Sequence, residues 1–237
     1  MRIFAIGDLH MDYKKEKPMD IFGPAWRNHE LKIFNNWRNQ VDEEDIVLIP
    51  GDVSWAMKID DVIDDLKQID ELPGKKFISK GNHDYWWESI TKLNNLGFKT
   101  IKYLHNTGHS IDEIGIAGTR GWTDRDNDDF DVHDEKIYMR EVSRLKLSLD
   151  QIKESTYKIV LIHYPPFRFN GEFNEFSQLM KEYDVDICVY GHLHGDGHKY
   201  VVEGELEGID FYCVSCDYID FKLKELRGFY DGKRNRS

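Results

Sequence analysis

The stretch Lys80-Gly81-Asn82-His83-Asp84, directly after the apolar run Phe77-Ile78-Ser79, decides how this chain is read. An amide oxygen can bind a metal, an imidazole can carry a proton, and a carboxylate can hold that imidazole. Alone, these residues could equally form a polar turn behind a strand. Four other places repeat the pattern of apolar run followed by polar cluster. Residues 3–6 lead to Asp8 and His10, and residues 46–49 to Gly51-Asp52. Residues 159–162 lead to His163, and residues 187–190 to Gly191-His192-Leu193-His194-Gly195.

Five apolar runs with periodic segments between them predict strands alternating with helices, hence an α/β fold (α+β in some schemes) with stacked sheets. Leu31, Phe34, Trp37 and Val41 predict a helix over 25–41. Ile59, Val62, Ile63, Leu66 and Ile69 predict a second, ended by Pro73-Gly74, and further helices are expected over 86–96, 137–152 and 173–183. Residues 199–226 alternate as two or three antiparallel strands. One domain is expected over 1–231, with a polar, basic tail over 232–237. In open α/β sheets, functional groups collect beyond the carboxyl ends of the strands. The five clusters are therefore expected to meet in space. Asp8/His10 and His192/His194 are i,i+2 pairs, which project to one side of an extended segment.

The chain has 237 residues, with 32 Lys+Arg against 44 Asp+Glu, a net charge of −12. That balance argues against general nucleic-acid binding, but bound cations could still give it a locally positive site for phosphate. No apolar run approaches the roughly 20 residues needed to span a bilayer. The first apolar stretch is too short for a signal peptide, and only three cysteines are present, Cys188, Cys213 and Cys216. A cytoplasmic location follows as the expectation. Cys213 and Cys216 have C-x-x-C spacing without a second pair, and are read as buried apolar residues.

Asp8, His10, Asp52, Asn82, His163, His192 and His194 supply seven candidate metal donors. Mixed imidazole and oxygen donors suit Mn, Fe or Zn better than Ca or Mg. Seven exceed what one open tetrahedral ion uses, and suit two ions sharing a bridging carboxylate.

The ordered series D-x-H, G-D, G-N-H-D, H and G-H-x-H, from Asp8 to His194, resembles the calcineurin-like metallophosphoesterase superfamily. The resemblance implies a four-layer sandwich of two stacked mixed β-sheets flanked by helices. It implies Asp8, His10, Asp52 and His194 around one metal. Asp52 would bridge to a second, held also by Asn82, His163 and His192. Hydrolysis of phosphate monoesters or diesters by a hydroxide between two Mn or Fe ions, with Zn as a further candidate, is the implied reaction. His83 would protonate the leaving oxygen and Asp84 would orient His83. The substrate would be a phosphorylated small molecule or nucleotide.

Two departures matter. Trp55 stands where purple acid phosphatases place a ligating tyrosine, three residues after the bridging Asp. The phosphate-clamping arginines of the protein phosphatases have no local match, which leaves Arg120 and Arg168 as candidates for substrate binding. A scaffold that uses this fold to hold a protein partner is the alternative from another class; degenerate ligands would favour it, and none is degenerate. Dinuclear amidohydrolases and lactonases favour H-x-H-x-D-H, which is absent. His29, His105, His109, His133 and His198 lack a partner cluster and are read as ordinary. Trp86, Trp87 and Trp122 are read first as core packing, second as stacking surfaces for an aromatic leaving group. Residues 124–135 hold a run of acids, read first as a solvated loop running into a helix N-terminus, second as a lid. Residues 11–27, 119–135 and 164–173 are the expected specificity elements.

Overall fold

The structure is a computed structural model that describes residues 1–226. The tail expected over 232–237 lies outside the described residues.

Strands β1 (Ile3–Ala5), β2 (Ile46–Pro50), β3 (Lys75–Ser79) and β4 (Ile101–Leu104) run parallel in the order β1-β2-β3-β4. The second sheet contains β5 (His109–Ile111), β6 (Ile114–Thr119), β7 (Tyr157–Ile162), β8 (Ile187–Tyr190), β9 (Gly204–Leu206) and β10 (Ile209–Cys213). Its order is β5-β6-β7-β8-β10-β9, with parallel β6, β7, β8 and β10 between antiparallel edge strands. The short β11 (Lys224–Glu225) returns to the first sheet, antiparallel to β1.

Strands β1, β2, β3, β7 and β8 are apolar on both faces, and their two faces enter different cores. Ile3, Ala5, Ile46, Leu48 and Phe77 pack against Ile116, Ile159, Leu161, Ile187 and Val189 of the other sheet. The alternate residues Phe4, Val47, Ile49 and Ile78 meet helices α1 (His29–Gln40), α2 (Ile63–Asp70) and α3 (Ile90–Asn94) through Ile33, Trp37, Leu66, Ile69 and Leu93. Val160, Ile162, Cys188 and Tyr190 meet α4 (Val132–Asp150) and α5 (Glu175–Glu182) through Tyr138, Leu145, Leu149, Phe176 and Met180. Burial on both faces is why the strands read as continuous apolar runs. The result is helix, sheet, sheet, helix: the α/β fold of two mixed sheets expected from the sequence.

The boundaries shift where backbone chemistry intervenes. Pro24–Trp26 forms a 3-10 turn and Asn28 is left-handed (φ 55°), so α1 begins at His29. α4 begins inside the acidic run, because Asp131 caps it: its carboxylate accepts from the His133 and Asp134 N–H groups, and Asp134 bonds back to the Asp131 N–H. Such a capping box satisfies otherwise orphaned donors. The C-terminal strands do not form one antiparallel group. β9 and β10 make a hairpin, β10 pairs parallel with β8, and β11 joins the other sheet. Among the described residues, no helix is long and apolar enough to cross a membrane.

Candidate metal centre

All five clusters lie just beyond strand carboxyl ends, at one edge of the sandwich. The edge is stitched across the two sheets: Gly7 donates to the Val214 carbonyl and accepts from Cys216 N–H, both beyond β10. The His163 imidazole Nδ1 donates to the Pro50 carbonyl at the end of β2, 3.0 Å away.

The strands do not simply run on into the site. Asp8, His10, Asp52 and His192 have φ of 58°, 43°, 50° and 72°. Left-handed backbone costs a non-glycine residue about 1 kcal/mol or more, and is held only where surrounding structure enforces it. Here Asp8 N–H donates to Gly51 O and His10 N–H to Asp52 O, clamping the two loops together. The i,i+2 pair Asp8/His10 thus reaches the centre through left-handed turns rather than by extended alternation. Gly81 and Gly191 are needed for close approach, since a Cβ on them would overlap the Asp52 and Asp8 carboxylates.

The seven predicted donors come together. His163 Nε2 lies 2.6 Å from Asn82 Oδ1 and 3.2 Å from His192 Nδ1, which is itself 3.0 Å from Asn82 Oδ1. Asp52 Oδ2 lies 3.6 Å from His163 Nε2 and 3.8 Å from His10 Nε2. His10 Nε2 and His194 Nε2 are 3.4 Å apart, and His194 Nε2 is 3.5 Å from Asp8 Oδ1. Two triads, Asp8-His10-His194 and Asp8-Asp52-His163, each bring their ligand atoms within 4.8 Å of one another.

Proton positions make this convergence informative. Nδ1 of His163 carries its hydrogen, because it faces a carbonyl. Burial lowers the His163 pKa, so Nε2 keeps a lone pair, aimed at the oxygen of Asn82. Lone pairs from an amide and an imidazole pointing at one another repel unless a cation lies among them. Asp217 accepts from His194 Nδ1 at 2.7 Å, which turns the Nε2 atom toward Asp8 and His10. Burial drives the His192 pKa down to about 3, with His163 adding to it. His194 is the exception: burial lowers it, but Asp8 and Asp217 outweigh that and raise it to about 10. Burial and the Asp84 and Asp8 charges push Asp52 up. Burial would raise Asp8 too, but the His194, His163 and His10 rings hold it below the usual carboxylate range. The imidazoles of His10, His163, His192 and His194, with the Asp8 and Asp52 carboxylates and the Asn82 amide oxygen, converge on common points in a way that fits transition-metal cations.

A match to the family model for calcineurin-like phosphoesterases spans residues 1–196. The chain belongs to the calcineurin-like phosphoesterase family. Solved structures of similar fold include phosphopantetheinyl hydrolase (PptH) from Mycobacterium tuberculosis, at 14% identity and TM-score 0.60, covering 98% of each chain. The protein TT1561 of Thermus thermophilus is similar at 16% identity and TM-score 0.60, over 94% of this chain and 97% of that one. AQ665 from Aquifex aeolicus, a protein of unknown function, is similar at 15% identity and TM-score 0.50, over 94% and 95%. No curated protein matches by sequence.

Within this family fold, the geometry of Asp84 differs from the role expected of it. Its buried carboxylate accepts from the backbone N–H groups of Gly81, Asp52, Val53 and Ser54, and from Trp86 Nε1. None of these is the His83 ring, whose buried Nδ1 has no hydrogen-bond partner among the described residues. His83 is held instead by rings: Trp55 at 4.6 Å and His10 at 5.8 Å between centroids. Its backbone N–H donates to Asp52 Oδ1 at 2.8 Å. Burial and the His163 ring lower its pKa.

Sequence reasoning missed Asp217. It follows the apolar run of β10 as the other clusters follow theirs, but the two cysteines beside it drew the reading. They are buried thiols, and Cys216 Sγ–H donates to the Asp8 carbonyl at 3.0 Å. Trp86 and Trp87 are buried in the core. Trp122 lines a solvent-open cleft together with Tyr164, Arg168, Phe169, His192 and Tyr200. Arg120 is mostly buried, with its guanidinium 4.3 Å from the Trp122 ring.

Proposed function

We propose that this protein is a dinuclear metal-dependent phosphoesterase acting on a phosphorylated small molecule or nucleotide. The carrying observation is the convergence of Asn82 Oδ1, His163 Nε2 and His192 Nδ1 within 3.2 Å of one another, beside the donor triad of Asp8, His10 and His194. Asp8, His10, Asp52 and His194 would hold one ion, and Asp52, Asn82, His163 and His192 the other, with Mn or Fe favoured over Zn. Asp52 Oδ2, near both His10 and His163, supports a bridging position. Bound ions of this kind activate water and neutralise phosphoryl oxygens.

The remaining work falls to the chain itself. His83 gives a proton to the departing oxygen, and tilted contacts with the Trp55 and His10 rings fix its own ring. Asp84 acts through the backbone, holding the 81–84 loop onto the 52–54 loop. Asp217 fixes the His194 tautomer, as carboxylates commonly do behind metal-binding imidazoles. The aromatic cleft beside His192 takes the non-reacting part of the substrate, with Arg168 at its edge and Arg120 behind Trp122.

Hydrolysis of bis-p-nitrophenyl phosphate or p-nitrophenyl phosphate that appears with added Mn²⁺ and vanishes with chelator is the expected result. Absence of turnover with Mn²⁺, Fe²⁺ and Zn²⁺ would sink the proposal. His83→Ala should slow an alkyl phosphate ester far more than a p-nitrophenyl ester, whose leaving group needs no proton; equal losses would remove His83 from that role.

A further inference from the structure

Lys80 and Arg120 stand out because the protein half-buries two neighbouring cations with few anions to meet them. Arg120 has a side chain 15% exposed, and its nearest carboxylate is Glu141, 3.5 Å from one guanidinium nitrogen. Glu141 is already engaged by Arg144 and by Thr119, whose hydroxyl donates to it at 2.6 Å. Among the described residues, the buried Arg120 Nε has no hydrogen-bond partner. Among the described residues, the Lys80 ammonium makes no hydrogen bond or ion pair. It feels the repulsion of Arg120 and Arg144, against the attraction of Asp84 and Glu141. Three cations thus face two anions in a protein whose overall charge is −12. Holding a half-buried cation without a full partner is costly, which makes such a pair a candidate for receiving an anion.

The position says which anion. Lys80 is two residues before Asn82, at the end of β3. Arg120 follows β6, and its carbonyl accepts from the N–H groups of His163 and Tyr164. Its guanidinium stacks on Trp122, in the wall of the cleft that also contains His192. The backbones of Lys80 and Arg120 therefore adjoin the loops of the metal centre, and neither side chain belongs to its donor set. We infer that Lys80 and Arg120 form a subsite for a second acidic group, a phosphate or phosphonate carried by the same substrate as the reacting ester. This rests on the phosphoesterase reading for the identity of the first group. Bis-acidic esters, such as nucleoside bisphosphates, are the substrate class it selects.

The test compares α,ω-alkane diphosphonates of two to four carbons with alkylphosphonates of the same length. Their P–C bonds survive the enzyme, and binding to Mn²⁺-loaded protein is read by calorimetry. At least one diphosphonate is expected to bind tenfold or more tightly than its monophosphonate. Lys80→Met should reduce that advantage below about threefold and leave the monophosphonate within twofold, with Lys80→Gln as the second variant should Lys80→Met fold poorly. Equal affinity across the whole series in the unaltered protein overturns the subsite. So does an advantage that persists in both variants. Failure to hydrolyse both p-nitrophenyl phosphate and bis-p-nitrophenyl phosphate with any metal would instead overturn the phosphoesterase reading, and the binding comparison would still decide the subsite.

Discussion

Replacing Asp84 with Asn tests what that carboxylate does. In the structure Oδ2 accepts from Gly81 N–H at 2.7 Å and Asp52 N–H at 2.9 Å, while Oδ1 accepts from Val53 N–H at 2.9 Å, Ser54 N–H at 3.3 Å and Trp86 Nε1 at 2.9 Å. An asparagine has one oxygen. Its best orientation keeps the Oδ1 contacts and points an NH₂ at the two donors formerly bound by Oδ2. Two hydrogen bonds to a charged acceptor disappear, each worth about 1.5–3 kcal/mol, so the loss is about 3–6 kcal/mol. At roughly 2–4 °C per kcal/mol for a chain of this size, the melting point should fall by roughly 10 °C. Differential scanning calorimetry on chelator-treated protein reads this without any contribution from metal. The reasoning is refuted if Asp84→Asn melts within about 2 °C of the parent yet shows an altered pH profile of turnover. That pattern would return Asp84 to His83, as its neighbour in sequence.

Asp217→Asn leaves His194 free to adopt the wrong tautomer, and metal affinity should drop by roughly 10–100-fold; titration calorimetry or elemental analysis after dialysis checks it, and unchanged occupancy would contradict it. Asp65 is buried beneath the 53–56 loop, where burial raises its pKa from 3.8 to about 6, against the hydrogen bonds from Ser54 and the Tyr13 N–H. The folded chain therefore holds that proton more tightly than the unfolded one. The protein loses stability as pH rises from about 4 to about 6, by about 3 kcal/mol at most. Asp65→Asn removes this penalty, so its melting point should gain on the parent at pH 8 and not at pH 4; a pH-independent difference would rule the account out.

Much of this was legible because the fold buries its strands on both faces. Residues 46–49 and 159–162 could not be mistaken for amphipathic segments, and the clusters behind them announced the shared edge. What stayed hidden depended on backbone geometry. The left-handed turns at Asp8 and His10 cannot be read from residue type. Adjacency suggested that Asp84 serves His83, but the turn there sends the carboxylate toward the 52–54 loop, which lies about thirty residues earlier. Asp217 depended on β10 running parallel to β8, a pairing that the alternation of residues 199–226 did not specify.

The stitching of the two sheets at Gly7 has a thermodynamic consequence. Asp8, His10, Asp52 and Asn82 hang from the first sheet, and His163, His192 and His194 from the second. Any ion shared across that seam is a fastener between the halves of the sandwich. Unfolding must then release it, and an ion present at a hundred times its dissociation constant adds about 2.7 kcal/mol to the folded state. The protein's lifetime in solution would rise and fall with the supply of metal around it, so that scarcity alone could decide how much of the chain persists.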